Sequence, residues 1–144
     1  MMLTLLSRPE YEQWLYSIPS RYASVRSSTV RFFTTSPTTA VVQGAIYFRG
    51  GYELRVSELV DFAAGDILDY GYEVWSQGQK LRWYDPQPHP NEPTLASTYP
   101  HHEHTPPDVK HHRVPAPGLS FTRPNLPLLI EGIEQDLAQA TERS

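Results

Sequence analysis

Apolar residues recur along this chain with two different periods, and the changes of period mark its elements. Near the start, Tyr11, Trp14, Leu15 and Ile18 fall at helical spacing. Ser7 and Glu10 ahead of them have capping-box spacing, and Pro9 suits a first turn. The pattern predicts a short helix within residues 1–20, ended by Pro19. Between residues 28 and 85 the period falls to two, with β-branched and aromatic residues enriched. Five strands are predicted: "STVRFFT", "AVVQGAIYF", "YELRVSELVDF", "ILDYGYEVW" and "KLRWYD". Gly50-Gly51 suits a tight hairpin between the second and third, because both residues can take positive φ. A second turn is expected at Gln77-Gly78. Beyond residue 124 the helical period returns. Leu126, Leu129, Ile130, Ile133 and Leu137 form one stripe, which predicts an amphipathic helix over 125–141 packed on the sheet.

The second hairpin can be registered from its turn. A two-residue Gln77-Gly78 loop places Val74 opposite Leu81, Glu73 opposite Arg82 and Tyr72 opposite Trp83. Tyr70, Tyr72, Val74, Leu81 and Trp83 then share the core face, and Glu73, Trp75, Arg82 and Tyr84 the other. A Glu73–Arg82 cross-strand ion pair would contribute about 0.2–1 kcal/mol. Glu53, Glu58 and Asp61 on one strand read as solvated, outward-facing carboxylates.

The expected architecture is α+β: an antiparallel meander sheet of about five strands, flanked by N- and C-terminal helices, with a Pro/His-rich loop closing over one edge or face. The 144 residues make one domain: helix 1–20, sheet 28–85, Pro/His-rich segment 86–124 and helix 125–141. Cysteine is absent, which removes disulfides, thiolate zinc sites and a cysteine nucleophile. No apolar run approaches the roughly 20 residues of a membrane span, and "MMLTLLSRPE" is short for a signal peptide, so a cytoplasmic protein is expected. A net charge of −4 argues against nucleic-acid binding by the field of the whole molecule and leaves room only for a local site. There is no phosphate-binding glycine loop and no G-x-S-x-G elbow.

The candidate chemistry lies in "YDPQPHPNEPTLASTYPHHEHTPPDVKHHR", residues 84–113, which holds all six histidines. Proline keeps His101–His104 extended, so His102 and His104 point one way, and His101 and Glu103 the other. Three readings follow. In a metal site, His102 and His104 would ligate zinc, nickel or iron, with His89, Asp85 or His111 as third ligand. In metal-independent RNA cleavage, His101, His102 and His104 would serve as acid–base groups. Arg82 or Lys110 would face phosphate, Tyr84 and Asp85 would orient, and Tyr84, Tyr99 or Trp83 would stack on bases. The third reading is a proline-stiffened loop that is solvated or grips another protein.

One resemblance runs through these motifs. G-x-I-x-F, a glycine turn, "YELRVSE", "YGYEVW", "LRWYDPQPHP" and "YPHHEH" follow one another before the final helix. This order resembles the TumE-like family of prokaryotic toxin–antitoxin proteins over about residues 28 to 135. Arg82, Tyr84 and Asp85 match its arginine–tyrosine–aspartate run, with Trp83 inserted. Pro100, His101, His102 and His104 match its second histidine cluster. Pro86 stands where asparagine is common, His89 alone represents a histidine pair, and Glu103 replaces a common lysine. The resemblance implies a small cytoplasmic toxin encoded beside a helix-turn-helix antitoxin. The residues add a possible RNA substrate. The reading requires no cofactor unless the metal alternative holds, involves no membrane and is compatible with a homo-oligomer.

Overall fold

The computed structural model describes residues 3–143, with side chains through residue 140. Met1, Met2 and Ser144 of the expected 1–144 domain lie outside the described residues. Helix α1 (Arg8–Arg21) starts where its capping pattern predicts: the Ser7 hydroxyl accepts the Glu10 amide at 3.3 Å. Pro19 does not end it, contrary to expectation. The proline sits in the last turn, where it removes a single amide donor. The Ile18 carbonyl instead closes the helix by accepting the Tyr22 amide at 3.1 Å.

The expected sheet of about five strands is an antiparallel sheet of eight. Its strands are β1 (Val25–Ser28), β2 (Arg31–Thr34), β3 (Thr39–Phe48), β4 (Tyr52–Asp61), β5 (Asp66–Ser76), β6 (Gln79–Asp85), β7 (His102–His104) and β8 (Arg113–Pro115). Two differences account for the count. The segment predicted as one strand, "STVRFFT", breaks at Thr29-Val30, and β1 and β2 both pair with β3. Within the Pro/His-rich segment, β7 and β8 extend the sheet beyond β6. They are short because proline interrupts the ladder on either side.

Both turns lie where predicted, and the glycine pair has the expected positive φ. Gly50 and Gly51 have φ of 86° and 85°, and Gln77 and Gly78 have 52° and 78°. Gln77 is the one non-glycine residue at positive φ among the described residues. Asparagine is better suited to such a site. Gln77→Asn is therefore expected to raise stability by about 0.5–1 kcal/mol, read as a higher urea midpoint. An unchanged or lower midpoint would contradict the turn geometry.

The register next to that turn is as predicted, with Ser76 opposite Gln79 and Trp75 opposite Lys80. A bulge then shifts it: Val74 faces Arg82, Glu73 faces Trp83 and Tyr72 faces Tyr84. The expected face assignment of β6 is thereby reversed, since a one-residue slip exchanges every side chain. Arg82 and Tyr84 lie on the core face, and Trp83 on the other. Glu73 pairs with Lys80 at 3.2 Å rather than with Arg82.

Helix α2 (Leu126–Arg143) buries Leu126, Leu129, Ile130 and Ile133 of its predicted stripe. These join Tyr11, Trp14, Leu15 and Ile18 of α1 in one core over the same face of the sheet. The sheet contributes the even positions of β3 and β4, among them Val42, Ile46, Leu54 and Val56. Burial of each large aliphatic side chain contributes about 1.5–3 kcal/mol. The odd positions of the central strands make up the opposite face, which neither helix covers. Among the described residues no helix is long and apolar enough to cross a membrane.

Candidate functional site

Strand alternation places the centre. In β6, Trp83 and Asp85 point to the face without helices, and β7 pairs them with His104 and His102 respectively. Both histidines of the H-E-H strand therefore meet the carboxylate from the neighbouring strand. His102 Nε2 lies 3.1 Å from Asp85 Oδ1, His104 Nε2 lies 3.0 Å from Asp85 Oδ2, and the two Nε2 atoms are 3.1 Å apart. Asp85, His102 and His104 form the one such convergence of three potential metal-ligating side chains among the described residues.

Surrounding groups fix each member. The Trp83 indole N–H donates to Asp85 Oδ2 at 2.7 Å, and the Gln87 amide donates to Oδ1 at 2.9 Å. His102 Nδ1 donates to the Pro100 carbonyl at 3.1 Å. The Trp83 ring lies 4.0 Å from that of His104, and the His89 ring meets His102 edge-on at 4.9 Å. His102 and His104 are 1% and 3% exposed, so neither ring is open to solvent. Asp85 remains partly exposed. His104 Nδ1 is buried without a hydrogen-bond partner.

The electrostatics follow from these contacts. Burial alone would raise the Asp85 carboxyl, but the Trp83 and Gln87 hydrogen bonds and the two histidines hold it below the usual carboxylate range. Burial pushes the His104 imidazolium down, and Asp85 only partly offsets this. Burial likewise lowers His89 and His101.

Asp85 opens into a groove of about 690 Å³ on the uncovered face. Its walls include Tyr47, Arg55, Gly71, Lys80 and Trp83. The Arg55 guanidinium lies 4.0 Å from the centre of the Trp75 ring, and the Lys80 ammonium 4.3 Å from that of Trp83.

The other residues proposed from sequence lie apart from this centre. His101 points to the helix-bearing face, where its Nδ1 is 2.6 Å from the Tyr70 hydroxyl and its ring stacks on Tyr70. Arg82 is held by Asp136 of α2 at 2.5 Å. Tyr84 packs against the core beside Glu103, and burial raises its hydroxyl to about 12. Glu103 thus belongs to the helix side, so the change from the usual lysine does not touch the centre. His111 is exposed and pairs with Asp108 at 2.9 Å. His89 contacts His102 without joining the three converging donors.

One buried acid escaped the sequence reading. Glu58, expected to be solvated, is 1% exposed. It accepts the Tyr11 hydroxyl at 2.7 Å and the Tyr72 hydroxyl, which in turn accepts from Asn125 at 3.1 Å. The signal was its parity with Leu54, Val56 and Val60, all of which face inward.

A family model described as Toxin TumE matches residues 15–137. No curated protein matches the chain, and no solved structure does.

Proposed function

Since the chain belongs to the Toxin TumE family, we propose that it is the toxin of a toxin–antitoxin pair and acts by cutting RNA at the Asp85–His102–His104 centre. The observation that carries this reading is the convergence of two imidazoles and a carboxylate at the end of an open groove. Such a set can accept and return a proton during transphosphorylation. The ribose 2′-oxygen would attack the adjacent phosphorus, its proton passing to the centre. The 5′-oxygen would leave with a proton, giving a 2′,3′-cyclic phosphate and a 5′-hydroxyl end.

Trp83 in the groove wall supplies a ring on which a base can stack, with Arg55 and Lys80 lining the same groove for the backbone. Those cations also pair with Glu53 and Glu73. Binding in the groove would therefore depend on stacking more than on a cationic field, in keeping with the net charge of −4. Family membership implies a cognate antitoxin, for which we propose a helix-turn-helix protein encoded by the adjacent gene. Co-expression of that gene should restore growth.

The direct test is cleavage of end-labelled RNA by untagged protein, with and without EDTA. His104→Ala and Asp85→Asn are expected to slow cleavage on the order of 100-fold, and His112→Ala to leave it unchanged. Equal rates in the centre variants would sink the assignment. Intact RNA under every condition, together with arrested growth, would point instead to a protein-binding toxin.

A further inference from the structure

The centre presents more lone pairs than it has protons. His102 Nδ1 lies 3.1 Å from the Pro100 carbonyl, which can only accept. The proton of the neutral ring therefore sits on Nδ1, and Nε2 carries a lone pair. That lone pair faces Asp85 Oδ1 and His104 Nε2, both at 3.1 Å. A proton on His104 Nε2 can serve Asp85 Oδ2 or His102, but not both. Two of the three contacts are left without a hydrogen whichever way that proton turns, the lone-pair contact of His102 with Asp85 always among them, beside rings shielded from water. A bound cation would satisfy all of these contacts together.

We propose that Asp85, His102 and His104 bind one divalent first-row transition metal ion, with zinc as the probe. Its use in cleavage rests on the ribonuclease reading above; its binding does not. An ion bonded at about 2.0–2.1 Å to tetrahedral ligands holds them roughly 3.3 Å apart. The donors are 3.0–3.1 Å apart, so a small shift admits the ion. Two imidazoles with one carboxylate suit zinc, iron, cobalt or nickel and disfavour magnesium, which prefers oxygen. The outer contacts fit at His102 and Asp85, while His104 Nδ1 has no partner. A ligating histidine normally donates its other ring nitrogen to a carbonyl, as His102 does to Pro100. The Trp83 indole and Gln87 amide anchor the two carboxylate oxygens. His-x-His on a strand places both rings on one face, and pairing of β6 with β7 brings the third ligand opposite His102.

The experiment is calorimetric titration of untagged full-length chain with zinc after stripping in EDTA and desalting, with circular dichroism as a check on folding. One ion per chain is expected, unaffected by excess magnesium. Affinity should fall at least about 10-fold in Asp85→Asn and His104→Ala and stay unchanged when the exposed His111 and His112 are both replaced by alanine. Cobalt should give visible bands of tetrahedral intensity that His104→Ala removes. If His104→Ala does not fold, histidine nitrogen shifts in the unaltered protein on adding zinc decide: both Nε2 signals must move. Absence of stoichiometric binding, or equal binding in folded centre variants, overturns the proposal. The two readings separate cleanly. Zinc bound at the centre without RNA cleavage keeps the metal site and removes the ribonuclease. Cleavage by stripped protein that takes up no zinc does the reverse.

Discussion

Gly44→Ala is expected to cost about 3 kcal/mol or more, lowering the urea midpoint by about 1–2 M. Gly44 has φ of +148°, and a Cβ there would lie 2.5 Å from the Thr29 carbonyl oxygen and 2.6 Å from Val30 Cα. These are backbone atoms and cannot swing aside. The Thr29-Val30 step is also where the chain passes from β1 to β2 along the same edge of β3. It is pinned there: the Thr29 amide donates to the Ala45 carbonyl at 2.8 Å, and the Ala45 amide to the Thr29 hydroxyl at 3.0 Å. Backing away would pull Val30 out of the core, where it is fully buried. Overpacking alone costs about 1–3 kcal/mol, and unfavourable φ adds to it. Total stabilities of about 5–15 kcal/mol make this a large fraction. A midpoint shift below about 0.3 M would show that the two backbones are not in such close contact.

Glu58→Ala should cost about 3–5 kcal/mol, whereas Glu58→Gln should be nearly neutral or stabilising near pH 7. Alanine leaves a cavity and strips both Tyr11 and Tyr72 of their acceptor. Those hydrogen bonds tie α1, β4 and β5 together, and Asn125 extends the network to the start of α2. Glutamine keeps an acceptor without the charge. Burial raises the Glu58 carboxyl, and the two hydroxyl donors only partly offset it. In the folded state the carboxyl therefore holds its proton to higher pH than in the unfolded chain, where it titrates near about 4.3. Its contribution to stability is fully present below that value and is lost as pH rises through the folded-state value. Urea midpoints measured between about pH 4 and 8 should fall for the native chain more than for Glu58→Gln. Identical slopes for the two would refute the assignment. A loss below about 1 kcal/mol in Glu58→Ala would show that the hydroxyls find other partners.

Sequence patterns gave good access to features decided within a few residues. The Ser7 cap, the Gly50-Gly51 and Gln77-Gly78 turns and the Leu126–Leu137 stripe each depend on neighbours along the chain. So does the alternation that sets His102 and His104 against His101 and Glu103. Two strands of three residues amid prolines carry too short a pattern to be read locally. They form because the edge of β6 offers unpaired amides and carbonyls to His102–His104. Glu58 was misread because charge was weighed above strand parity.

The sequence by itself determined the alternation of each strand, the stripe of α2 and the likeness to the TumE family, because period and motif are properties of adjacent residues. Only the tertiary structure decided which faces meet. The bulge after Val74 turned Arg82 and Tyr84 inward and left Trp83 and Asp85 outward, since one extra residue reverses every side chain beyond it. Pairing of β6 with β7 then set Asp85 against His102 and His104 across 17 and 19 residues of chain. No local pattern records such a contact, because ladder hydrogen bonds and burial depend on which strand lies alongside.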